Sequence, residues 1–94
     1  MERKEFKSEI ASWVDSTRAA LIAKICEFMK GEPRVVLFQP CIIVTEDEFE
    51  ELYYKSYSEI LYEDGHIFLV NEDGVEESID CFTLDEILRV VDNL

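Results

Sequence analysis

His66 is the only histidine of the chain, and it follows Glu63, Asp64 and Gly65. An imidazole beside two carboxylates has the parts of a general base or a metal ligand. A lone histidine at a hairpin mouth is also the ordinary solvent-facing case, and no Ser-His-Asp grouping can be read along the chain. Asn71-Glu72-Asp73-Gly74 has the composition of a calcium loop. The EF-hand spacing needs Asp at alternate positions and Gly sixth, which would put Leu69 first, so the pattern fails. A looser divalent-cation site among carboxylates is left open. The three glycines never form a phosphate-binding loop. Cys26, Cys41 and Cys81 are widely spaced with no C-x-x-C, which reads as small buried apolar groups in a reducing compartment. No catalytic residue, cofactor or metal is expected.

Two other groups of residues suit binding better than chemistry. Glu46, Asp47, Glu48, Glu50 and Glu51 place five acids in six residues. At a helix N-terminus they favour the backbone dipole and solvate a face; as an exposed cluster they form an acidic docking patch. Phe6, Ile10, Trp13 and Val14 form an apolar stripe near the N-terminus. Trp13 is either ordinary core or a half-exposed interface anchor.

The elements that must position these groups centre on residues 57–94. Tyr57–Glu63 reads as a strand, and Asp64-Gly65 supplies the turn, because both residues tolerate positive φ. His66–Asn71 is the next strand. Glu72-Asp73-Gly74 fits a three-residue loop that pairs Asn71 with Val75, and Val75–Cys81 is a third strand. Period-two alternation puts Ile60, Tyr62, Ile67, Leu69, Val75, Ile79 and Cys81 on the core face. Leu61, Phe68 and Val70 fall on the other face, among Glu59, Glu63, Glu76, Ser78 and Asp80. Phe82-Thr83-Leu84-Asp85-Glu86-Ile87 opens a helix, with a capping box between Thr83 and Glu86. Leu84, Ile87, Leu88, Val91 and Leu94 form its apolar stripe.

Upstream, Glu2–Lys30 has helical periodicity through Phe6, Ile10, Trp13, Thr17, Leu21, Ile25 and Phe28. One helix of that length would reach ~43 Å. It therefore breaks near Asp15-Ser16, or it overhangs the body and pairs with a partner. Residues 34–38 and 41–44 read as two strands around Pro40, each covered on both faces. Thr45-Glu46-Asp47-Glu48 repeats the capping-box pattern and predicts a short helix from Glu46 to about Lys55. The competing reading starts the next strand early, at Tyr53, Tyr54 and Tyr57.

The fold expected is α+β: a single two-layer domain over residues 1–94, with a small, mostly antiparallel sheet (a β-meander at 57–81) covered by N-terminal and C-terminal helices. Charge is uneven. Residues 1–40 hold seven Lys/Arg and six Asp/Glu, and residues 41–94 hold two and sixteen, giving +1 and −14 for the net −13. Such acidity disfavours direct contact with nucleic acid or anionic membrane and favours a basic partner. No apolar run approaches the ~20 residues of a membrane span, and no signal peptide is visible, which points to the cytoplasm.

The tail Gly65-His66-Ile67-Phe68-Leu69-Val70-Asn71-Glu72-Asp73-Gly74, followed by Phe82-Thr83-Leu84-Asp85-Glu86-Ile87-Leu88, resembles the C-terminal ends of small acidic proteins of gut anaerobic bacteria. The resemblance is confined to the C-terminal third, implies no activity and carries over no functional residue. The function expected from these features is a non-catalytic protein-interaction module that self-associates through its N-terminal helix. Its partner would be a second copy or another protein, a basic one among them. The alternatives are an acidic nucleic-acid mimic that occupies a basic DNA-binding protein, and a small enzyme.

Overall fold

The structure is a computed structural model and describes residues 4–6, 8 and 17–94. Four strands form one antiparallel sheet in the order β1-β2-β3-β4: β1 Arg34–Glu46, β2 Leu52–Glu63, β3 His66–Asn71 and β4 Glu76–Ser78. Helix α1 (Arg18–Met29) precedes the sheet, and helix α2 (Leu84–Asp92) follows a 3-10 turn at Ile79–Cys81. The fold is the expected α+β, and the meander extends beyond residues 57–81 to include β1.

Helix α1 starts where Thr17 leaves the helical region, at φ −76° and ψ 157°. The Thr17 hydroxyl accepts from the Ala20 amide at 3.1 Å, so the threonine acts as N-cap. An uninterrupted helix from Glu2 to Lys30 is therefore corrected: the chain is extended at residue 17, just past the expected Asp15-Ser16 break, which itself lies outside the described residues. Leu21, Ile25, Phe28 and Met29 are buried, as the widening stripe predicts.

β1 replaces the two separate strands. Its register slips between Val36 and Cys41, where Pro40 sits. Proline has no N–H to give to a ladder, so the irregularity accommodates it. Val35, Leu37, Cys41 and Ile43 are buried while Val36, Phe38, Ile42 and Val44 are exposed. The expectation of cover on both faces is thus overturned; this apolar run alternates in its surroundings without alternating in its residues.

The predicted helix from Glu46 to Lys55 is absent. Glu46 ends β1, Leu52 begins β2, and the early-strand reading of Tyr53, Tyr54 and Tyr57 is the one the chain follows. Cross-strand pairing of Val44 with Tyr54 and Thr45 with Tyr53 outweighs the local helix signal. The Asp64-Gly65 turn forms as expected, with φ of 49° and 83°. In the next loop Gly74 has φ 79°, and Asn71 donates to the Val75 carbonyl at 3.0 Å. The third strand is shorter than predicted. It ends at Ser78, and the 3-10 turn leaves Cys81 exposed; Val75, at the loop, is exposed as well.

Both helices lie on one face of the sheet. Residues from α1, α2 and the inner rows of β1, β2 and β3 join in a single buried cluster. Phe6 belongs to it, with its ring stacked on Phe28 at 4.6 Å. Tyr57 meets Phe82 edge to face at 5.2 Å. A void of about 10 Å³ lies among Ile25, Ile60, Leu69, Ile79, Ile87, Val90 and Val91, too small for more than one water, so the inner layer is tightly packed there. No helix among the described residues is long and apolar enough to cross a membrane.

Candidate interaction surface

The other face of the sheet has no covering layer among the described residues. The strand register assigns it Val36, Ile42 and Val44 from β1, Leu52, Tyr54 and Leu61 from β2, and Phe68 and Val70 from β3, and Phe38 joins them by alternating with buried Leu37. Phe38 is 84% exposed, Tyr54 67% and Ile42 58%. Val36, Val44 and Leu52 are also exposed, while Leu61, Phe68 and Val70 are half-buried. Val44 stands directly opposite Tyr54, and Leu61 opposite Phe68; between these two apolar pairs Ile42 faces Ser56, and Glu59 lies between Val36 and Val70. The exposed members sum to on the order of 500 Å² of mainly apolar surface, at the upper end of what monomers leave open. Solvation of such a face has a hydrophobic cost that only a covering surface removes.

Charged groups frame this face unevenly. Arg34 and Glu59 lie on it as a bidentate pair, with guanidinium nitrogens 3.1 and 2.8 Å from the two carboxylate oxygens. Glu59 holds the Arg34 guanidinium proton still more firmly than usual, through the hydrogen bond first and its charge second. Glu46, Glu63 and Glu76 lie on the same face by register and are exposed. His66 stands opposite Glu63 and is likewise exposed.

The acidic cluster occupies the β1–β2 hairpin tip, not a helix N-terminus. Within it Asp47 is the organiser. Its Oδ1 accepts from the Phe49 and Glu51 amides, both at 2.9 Å, and its Oδ2 from the Tyr53 hydroxyl at 3.1 Å. The Glu51 amide bond, with help from Phe49 and Tyr53, holds the Asp47 carboxyl below its ordinary range, and the hydrogen bond from the Tyr53 hydroxyl to Asp47 pushes the Tyr53 phenol up. Glu50 has φ 62°, which an L-residue tolerates poorly. Glu46, Glu48, Glu50 and Glu51 stay exposed, and Phe49 beside them is exposed at the tip.

A second polar cluster lies on the inner face, away from this surface. Glu77 receives the Tyr57 hydroxyl at 2.8 Å, Lys55 Nζ at 3.2 Å and Asn71 Nδ2 at 3.3 Å. Burial pushes the Glu77 carboxyl up, but the Tyr57 and Lys55 contacts outweigh it and bring it below its usual range. Burial, then Glu77, pushes the Tyr57 phenol far upward. These groups edge a recess of about 170 Å³ that also touches Cys81 and Glu86. That is smaller than the roughly 300 Å³ of the least ligand pockets, and its carboxylate is already saturated with donors. Sequence reasoning missed Glu77, although alternation that turns Val75 and Ile79 inward turns Glu77 inward too.

Of the expected N-terminal interface residues, Phe6 is fully buried within its own chain and has no surface left for a partner. Ile10, Trp13 and Val14 lie outside the described residues. The three thiols do not share one environment. Cys41 is buried, Cys26 half-buried and Cys81 exposed, and burial pushes the first two up. Among the described residues no group of three or more His, Cys, Asp or Glu is placed to hold a metal ion. No protein-family model, no curated protein and no solved structure matches this chain.

Proposed function

We propose that this protein is a protein-interaction module whose binding surface is the open face of the sheet, centred on Phe38, Ile42, Val44 and Tyr54. The observation that carries this reading is the exposure of Phe38, Ile42 and Tyr54 on a sheet whose opposite face is closed by two helices. A two-layer domain buries one face of its sheet against its own helices, and an apolar second face is covered by something else. The binding site moves accordingly, from the N-terminal helix expected from sequence to the sheet. Exposed aromatic groups on such a face, with carboxylates on it and around it, suit a partner that offers both apolar and charged contacts.

Site-specific photo-crosslinking tests the reading. A photoreactive phenylalanine at position 38, 42 or 54 should give discrete crosslinked products in the cell that makes the protein. The same group at Asp85 or Arg89, on the solvent side of α2, should not. Equal yields from both sets of positions would contradict the assignment.

A further inference from the structure

Resting on the assignment of the open face as a binding surface, we propose that its occupant is a cationic amphipathic helix presented by another protein. Charge is the first ground. The strands contain two Lys/Arg side chains, Arg34 and Lys55. Arg34 is engaged by Glu59 on the open face, and Lys55 by Glu77 on the inner one. Glu46, Glu63 and Glu76 share the open face, and Glu48, Glu50 and Glu51 stand at its hairpin end. A second copy would set this acidic frame against itself, with net charge −13 on each chain. A partner with lysines or arginines flanking an apolar stripe meets both the apolar rows and the carboxylates.

The edges of the sheet are the second ground. The Phe38 amide, midway along β1, already donates to the Asn93 carbonyl at 2.8 Å, so the α2 terminus interrupts that edge. The opposite edge, β4, is three residues long. Neither edge offers the uninterrupted ladder that strand addition requires. The face is what remains, and the element that packs on a sheet face with one apolar stripe is a helix.

The test uses the whole protein and a fluorescent synthetic peptide of about 18 residues, five helical turns, built from Leu and Lys with one apolar stripe. A Leu/Glu peptide of the same pattern is the control. The Leu/Lys peptide should bind, the Leu/Glu peptide should not, and added salt should weaken binding at least about tenfold. Combined Phe38→Ser and Tyr54→Ser replacement, on exposed side chains, should weaken binding by a similar factor of about ten with the circular dichroism unchanged. Leu/Lys binding that is indifferent to these substitutions is adsorption by charge alone and overturns the proposal. So does absence of binding, or a scattering mass that doubles through Phe38, which would make a second copy the occupant. Crosslinks from positions 38, 42 and 54 would persist in each of those cases if the face is a binding surface for something else, so failure of the partner chemistry and failure of the surface are told apart.

Discussion

The Tyr57 hydroxyl donates to Oε2 of Glu77 across 2.8 Å, and this contact ties β2 to the last strand of the sheet. Glu77 sits on the inner face, where a carboxylate without donors would be costly. Tyr57, Lys55 and Asn71 supply those donors, and Asn71 also organises the loop that follows it by accepting from the Asp73 and Val75 amides at 2.9 and 3.0 Å.

Acid should find this cluster first. The folded Glu77 carboxyl is held below its ordinary value of 4.5, so its contribution is complete above that pH and is lost as pH falls through the lower folded value. Denaturant midpoints of the parent should therefore drop steeply in acid, and Glu77→Gln should flatten that dependence. Asp47, depressed in the same direction, leaves a residual slope in the variant. Identical slopes for the two proteins would contradict the assignment. Tyr57→Phe, which removes one donor, should cost about 1 kcal/mol at neutral pH.

The Arg18 guanidinium reaches the carbonyl of Phe82 at 2.7 Å and that of Ile79 at 3.1 Å, clamping the start of α1 to the 3-10 turn. Its loss leaves two carbonyls to find water. Arg18→Ala should destabilise by about 1.5–3 kcal/mol. Arg18→Lys should recover only part of that, since an ammonium lacks the planar fork. Urea unfolding of the two variants measures the difference.

Thr83 and Glu86 form the reciprocal cap of α2, at 3.2 Å from the Glu86 amide to the hydroxyl and 2.8 Å from the Thr83 amide to the carboxylate. Thr83→Ala should lower stability by about 1 kcal/mol. An unchanged denaturant midpoint would remove Thr83 from that role.

At the hairpin tip, Glu50 adopts φ 62° without the freedom of glycine. Glu50→Gly should relieve left-handed strain of about 1 kcal/mol, less the entropy glycine adds to the unfolded chain. A small rise in melting temperature is expected; a fall would mean that the Glu50 side chain holds the tip.

The sequence made some of this plain and concealed the rest, for reasons that particular residues show. Asp64-Gly65 and the Thr83–Glu86 cap are local chemistry, decided within four residues, and both formed as read. The Thr45–Glu48 pattern imitates that cap, yet Val44 and Tyr54 pair across strands, and non-local contact prevailed over local propensity. Val35–Phe38 and Cys41–Val44 are each apolar throughout, so no alternation could reveal that Val36, Phe38, Ile42 and Val44 face outward. That face is the candidate site, and it became visible only once the helices were placed on the other side. Alternation turns Glu77 inward, but its donors Lys55, Tyr57 and Asn71 come from two other strands, which spacing along the chain does not bring together.

A partner seated on the open sheet face would shield Phe38 and Tyr54 in the cell. Hydroxyl-radical footprinting of Phe38 and Tyr54, first in the purified protein and then in an extract of the cell that makes it, tests this most directly. Strong labelling of both rings in the purified protein and marked protection in the extract are expected, with Phe49 at the tip protected less. Equal labelling of Phe38 and Tyr54 in the two samples would contradict it.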